Sequence, residues 1–173
     1  MNRGRKVRPG KVHFRDKQRS PHVDDFTQQE VIMQRSATAV WEGGLKDGRG
    51  TVSTESGVLS ESQYSFSTRF ENGTGTNPEE LLASAHAGCY SMALSLVLGE
   101  SGITPERVQT NAAVTIEPSE DGFTITAVHL DTRIKAPGAN RATVEEAAEK
   151  AKGGCPVSKL FNAEITLAAS VDT

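Results

Sequence analysis

A chain of 173 residues, 36% hydrophobic and 24% charged, is long enough for one domain with a real core. No apolar run approaches the ~18 residues that span a bilayer, and the N-terminus lacks the apolar stretch of a secretory signal, so the expected compartment is the cytoplasm. The net charge of −3 divides unevenly: residues 1–19 hold eight basic groups and one acid, and the rest carries a net −10, which argues against nucleic acid as a partner of the body.

Residues 1–33 show no periodicity. Pro9, Gly10 and Pro21 interrupt any helix, and the charge is high, so this stretch reads as a solvated basic arm ahead of a domain at 34–173. From there Ala37, Ala39 and Trp41 alternate with polar residues, Gly43-Gly44 breaks the run, and Asp47-Gly48 signals a turn before a second strand at 50–59. Tyr64, Phe66, Thr68 and Phe70 alternate in the same way. They predict a third strand with Arg69 on its polar face.

A helix is expected over 77–98. Asn77 is its N-cap, Pro78 suits its first position and Glu80 stands at the capping-box position. Leu81, Leu82, Ala85, Cys89, Met92, Leu94, Leu96 and Leu98 cover most of its circumference, so it should be buried on several sides. One small sheet cannot cover such a helix, and a second subunit is the natural source of the rest. Two strands follow, Val108–Ile116 and Phe123–Ile134, with a slip of phase near Ala127 that reads as a bulge. A second helix is expected at 144–152 with Thr143 as N-cap. Cys155-Pro156 opens a short helical turn to Phe161, and 163–171 alternates as a last strand. The order β-β-β-α-β-β-α-β predicts an α+β fold with antiparallel sheets.

The chemistry candidates are few. Two cysteines in a reducing compartment are inert core residues or redox groups rather than a structural staple. They lack the histidine spacings of a zinc site. Cys89, in mid-helix, is a small core hydrophobe or a thiol that needs a cation to ionise, and Arg69, on the polar face of the preceding strand, lies close in sequence. Cys155, between Gly-Gly and Pro, has a thiolate-favouring position and flanking glycines that give it access. His86 precedes Cys89 by three residues as a packed ring, a base or a metal ligand. Glu79 and Glu80 suit the first helical turn.

The stretches WEGG (41–44), GTVSTESGVL (50–59), TRFENGTGTNPEELLASAHAGCYSMALSLVLGESGITP (68–105) and GGCPVSKLFNAEITLAAS (153–170) resemble the OsmC/Ohr family, in its osmotically inducible OsmC branch. The likeness runs from Trp41 to the end, and the arm falls outside it. The resemblance implies an intertwined homodimer with the cysteine helix at its centre. It implies thiol-dependent reduction of organic hydroperoxides, and hydrogen peroxide more weakly, in oxidative and osmotic stress defence. Cys89 matches the peroxidatic cysteine, Cys155 the second cysteine, and Glu79 the glutamate of an Arg–Glu pair that activates the thiolate. Arg69 fits the arginine of the OsmC branch. In Ohr-type relatives the arginine follows a Gly-Gly, where this sequence has Leu45 and Lys46, so Arg49 is a second candidate. The reductant implied is a dithiol, often a lipoyl group, and no metal, flavin or haem is needed. The competing expectations are a scavenger favouring hydrogen peroxide and a non-enzymatic nucleic-acid-binding protein that uses the basic arm.

Overall fold

The computed structural model describes residues 32–120 and 122–173. The basic arm expected at 1–33, and the nucleic-acid reading that rests on it, therefore fall almost wholly outside the described residues. Three strands open the described part: β1 (Ala37–Glu42), β2 (Arg49–Thr54) and β3 (Ser62–Ser65). They form an antiparallel sheet in that order, with Trp41 opposite Gly50 and Gly50 opposite Tyr64. Gly50 is needed there, because a Cβ would run into the Tyr64 ring. Trp41 and Tyr64 meet across it at 5.4 Å between centroids. Every residue of β1 is exposed in the single chain.

The third strand is shorter than its alternation predicted. The chain turns at Ser65 into the one-turn helix α1 (Phe66–Phe70). The Ser65 hydroxyl accepts the Thr68 N–H at 3.2 Å, and the Thr68 hydroxyl accepts the Ser65 N–H at 2.9 Å. This reciprocal cap satisfies two backbone donors and overrides the period-two pattern. Its effect is directional. Phe66 and Phe70 stack at 4.9 Å, one helical turn apart, and Arg69 leaves the sheet face and turns towards the next helix.

That helix, α2 (Pro78–Glu100), starts where its cap predicts: the Asn77 side chain accepts the Glu80 N–H at 2.8 Å. The same side chain donates to the Thr68 carbonyl at 3.1 Å and ties α1 to α2. By length and composition α2 is long and apolar enough to cross a membrane, which corrects the expectation that no such run exists. Its acidic residues sit at its ends, Glu79 and Glu80 in the first turn and Glu100 at the last position, leaving the stretch between them uncharged. In this fold it is a core helix on one side. His86, Tyr90, Leu94 and Leu98, spaced by four, have no accessible surface, while Met92 and Leu96 are 76% and 50% exposed.

The buried stripe packs on a second sheet of β4 (Arg107–Ser119), β5 (Gly122–Lys135) and β6 (Glu164–Asp172), in that order. β4 and β5 are antiparallel, and their register shifts where Thr115 and Ile116 face Ala127 and Ile125. Thr126 is the extra residue, at the bulge that the phase slip indicated. Val128, Leu130, Thr132 and Ile134 form the buried face of β5. The expectation of antiparallel sheets fails at β6, which pairs with β5 in parallel. The intervening α3 (Arg141–Gly154) and α4 (Pro156–Leu160) carry the chain back past the sheet, as a parallel crossover requires. α3 also begins earlier than expected: Asn140, not Thr143, is the cap, and its side chain accepts the Thr143 N–H at 3.2 Å. Val144, Ala147, Ala148 and Ala151 close the core between α3 and α2.

Candidate active site

Two polar clusters stand out, and α2 carries one member of each. The first is the cysteine pair. Cys89 is in the middle of α2 and Cys155 caps α4, and their sulfurs lie 3.0 Å apart with both thiols free. A disulfide needs about 2.05 Å, so closure takes a shift of about 1 Å. The two are not equally reachable. Cys155 has no accessible surface, whereas Cys89 is half-buried. The flanking glycines therefore do not expose Cys155, as the sequence suggested. The end of α3 and the start of α4 hold it directly behind Cys89.

Burial pushes the Cys89 thiol up, and the hydrogen bond and charge of Cys155 act in the same direction. Burial also opposes ionisation of Cys155. Hydrogen bonds from Cys89, from Ser158 and from the Val157 N–H more than offset it, and the Cys155 thiol ends below its ordinary value. Within one subunit, then, Cys155 is the more acidic sulfur and Cys89 the more accessible one. Tyr90 is no base for either: burial pushes its hydroxyl up to about 12, and the group donates to the Ala148 carbonyl at 3.3 Å.

The second cluster is the Arg69–Glu79 pair. Arg69 Nε lies 3.1 and 3.2 Å from the two Glu79 carboxylate oxygens, and Nη2 lies 2.7 Å from one of them. Glu79 is nearly buried, and the guanidinium sits 5.0 Å from the Phe70 ring centroid. Fork-on-carboxylate bonding of this kind fixes both side chains. Arg49, the second candidate, makes only an exposed pair with Glu42 at 3.5 Å. Beside Arg69 opens a cavity of about 310 Å³ lined by Trp41, Leu45, Tyr64, Phe66 and Phe70.

Within one subunit the two clusters stand apart. Ten residues separate Glu79 from Cys89 on α2, about 15 Å along the helix axis. The structure thus pairs Cys89 with Cys155 and Arg69 with Glu79, but in a single chain it does not bring the arginine to the thiol.

Sequence reasoning weighed His86 and missed Ser158. The His86 ring has no accessible surface, its Nε2 lies 2.8 Å from Ser158 Oγ, and it stacks on Phe161 at 5.3 Å. The available signal was the Cys155-Pro-x-Ser158 spacing, which sets the serine over the cap of a proline-initiated turn. Burial lowers the His86 pKa from its ordinary value. The unfolded chain therefore binds a proton that the folded chain refuses just below about pH 6.5. Stability should rise with pH through that window and level off above it. Denaturant midpoints should be lower at about pH 5.5 than at about pH 7.5, and His86→Gln should shrink the difference. A difference that His86→Gln leaves intact would assign the acid sensitivity to another group.

The comparisons agree with this architecture. Residues 71–170 match the family model described as OsmC-like protein. "Peroxiredoxin OsmC" of Escherichia coli (strain K12) is 51% identical over 137 residues, covering 79% of this chain and 96% of that protein. An "Organic hydroperoxide resistance protein" of Xanthomonas axonopodis pv. citri (strain 306) is 29% identical, covering 80% and 95%. Among solved structures, an organic hydroperoxide resistance protein from Elizabethkingia anophelis superposes with a TM-score of 0.67 at 30% identity, over 83% of this chain and all of that one. With a family model spanning more than half of it and a relative identical at every second residue, the chain belongs to the OsmC-like protein family, in its OsmC branch.

Proposed function

We propose that the protein reduces organic hydroperoxides, and hydrogen peroxide more weakly, through a Cys89 sulfenic acid and a Cys89–Cys155 disulfide. As a member of the OsmC branch, the chain is a cysteine-based peroxidase. The observation that carries the finer reading is the pair of free sulfurs at 3.0 Å, of which Cys89 alone is accessible. A peroxide can reach Cys89 but not the buried thiol behind it. The Cys89 thiolate attacks one peroxide oxygen, the O–O bond breaks, and the alkoxide leaves with a proton from water. Cys155 condenses with the sulfenic acid and water departs. A dithiol reductant, a lipoyl-bearing protein being one such group, restores both thiols by exchange.

The pKa pattern asks for a cation that the described residues of one subunit do not supply to Cys89. A homodimer answers this. Met92 and Leu96 leave a broad apolar face of α2 uncovered, and β1 is exposed along its whole length. Packing two copies through α2 covers that face and carries the Arg69–Glu79 pair of one copy to Cys89 of the other. The Arg69 guanidinium then holds the Cys89 thiolate, and Glu79 holds the guanidinium. The aromatic cavity beside Arg69 takes the organic part of the substrate. The working compartment is the cytoplasm, where thiols stay reduced between turnovers.

The cavity gives the test. With a dithiol as reductant, catalytic efficiency on cumene hydroperoxide should exceed that on hydrogen peroxide by at least about tenfold, the scale of a few apolar contacts. Equal or reversed efficiencies would remove the organic preference and leave a general peroxide scavenger.

A further inference from the structure

The β4–β5 hairpin reaches beyond the core it helps to build. From Val128 to Ile134 the even-numbered residues of β5 face the core. Thr126, the extra residue of the bulge, reverses that phase: Ile125 and Phe123 pair with Ile116 and Pro118 of β4. Cross-strand partners share a face, and Ile116 and Pro118 continue the Val108 to Val114 series that packs towards α2. The bulge thus turns Phe123 to the helix side of the sheet. There its ring meets Phe70 of α1 at 4.7 Å between centroids, within the range of an attractive aromatic pair. The tip is braced by its own side chains. Ser119 Oγ donates to the Gly122 carbonyl at 3.2 Å, Thr124 Oγ1 donates to Ser119 Oγ at 3.0 Å, and Thr126 Oγ1 donates to Glu117. Phe123 is nonetheless 57% exposed, so the core does not require it.

Phe70 gives this contact its consequence. Its ring lines the cavity beside Arg69, meets Phe66 at 4.9 Å and lies against the Arg69 guanidinium. α1 is little more than one turn, and Thr68 is its one buried residue, so the Phe70 ring is held mainly by its neighbours Phe66 and Phe123. Arg69 has its own anchor, the fork on Glu79. Loss of the hairpin contact therefore frees the apolar wall and leaves the cation in place.

We propose that Phe123 is a positioning residue that acts through Phe70 to set the substrate specificity of the cavity, in favour of peroxides with a bulky apolar group. The proposal rests on that cavity taking the organic part of the hydroperoxide. With Phe123 in place, the Phe70 ring is pinned between two aromatic neighbours and presents a fixed apolar wall. A preformed wall has less freedom to lose when the organic group arrives, so more of the contact energy is left for binding. Hydrogen peroxide has no apolar group and gains nothing from the wall. The hairpin tip therefore governs which peroxide is held, and the Arg69–Glu79 pair is unaffected by it.

Steady-state rates on cumene hydroperoxide and on hydrogen peroxide, with dithiothreitol as reductant, test this. Phe123→Ala should lower the efficiency on cumene hydroperoxide about tenfold, the worth of a few apolar contacts, through KM rather than kcat. Its efficiency on hydrogen peroxide should change little. Phe123→Tyr keeps the ring pair and should match wild type on both. A second readout needs no turnover. Trp41, the single tryptophan, lines the same cavity, so its fluorescence reports the binding of cumyl alcohol, the product. Phe123→Ala should raise the dissociation constant of the alcohol about tenfold. The proposal is overturned if Phe123→Ala slows both peroxides equally, if Phe123→Tyr is as impaired as Phe123→Ala, or if neither the KM for cumene hydroperoxide nor the alcohol affinity changes. A wild type without preference for the organic peroxide would refute the substrate reading itself. The alcohol titration then decides on Phe123 alone, and a wild type that binds no alcohol overturns the proposal as well.

Discussion

Cys89→Ser is expected to abolish hydroperoxide turnover, because a serine hydroxyl is far too weakly acidic to stand in for a thiolate. Cys155→Ser should fail differently. Its Cys89 remains accessible and should still consume one equivalent of peroxide, but the sulfenic acid then has no buried thiol 3.0 Å away to condense with. After one equivalent of an organic hydroperoxide, mass spectrometry should find wild type lighter by two hydrogens, through the Cys89–Cys155 bond. Cys155→Ser should be heavier by one oxygen on Cys89, and excess peroxide should drive it to the irreversible sulfinic state. Added small thiols should restore part of its turnover. The reverse pattern, with Cys89→Ser consuming peroxide and Cys155→Ser inert, would exchange the two roles. It would also mean that the more acidic sulfur outweighs the more accessible one.

Arg69→Ala should lower the oxidation rate about a hundredfold, the usual cost of removing one preorganised charge-stabilising donor, and should raise the pH at which Cys89 becomes reactive to alkylating agents. Arg49→Ala should change neither, since its pairing with Glu42 is exposed at the surface. The sharper test asks which Cys89 the arginine serves. Mixed dimers of a Cys89→Ser chain with an Arg69→Ala chain contain one Cys89, on the chain that lacks its own arginine. If the pair acts across the interface, that Cys89 faces an intact Arg69 and the mixed dimer should recover about half of wild-type activity by the count of intact sites. If the pair acts within its own chain, the mixed dimer should be as slow as Arg69→Ala itself. A monomeric mass for the wild type at micromolar concentration would end the trans arrangement altogether.

Much of the fold could be read from local chemistry. Asn77-Pro78 and the dense apolar stretch after it announced α2, and the alternation of β4 with the phase slip before Val128 announced a bulged hairpin. Cys155-Pro156 announced a short turn of helix. Two elements misled for opposite reasons. Tyr64 to Phe70 alternates as a strand, yet Ser65 and Thr68 exchange two hydrogen bonds that favour a helical turn, and a local cap outweighs a four-residue pattern. β6 carries the right alternation, but alternation is the same in parallel and antiparallel pairing. Only the packing of α3 and α4 behind it selects the parallel register with β5.

The candidate site divides along the same line. The sequence, with the family resemblance it carries, supplied the candidates for chemistry: the two cysteines, and the arginine and glutamate that flank the start of α2. Their identities and local contexts are one-dimensional properties. What only the tertiary structure decided was proximity and exposure. It brought sulfurs 66 positions apart to 3.0 Å, hid Cys155 where its glycines suggested access, and set Ser158 against His86. It also placed Arg69 on Glu79, nearly three turns of helix short of Cys89. Burial and hydrogen bonding, which set the acidity of each thiol, depend on which distant segments pack around it, and no spacing along the chain encodes that directly.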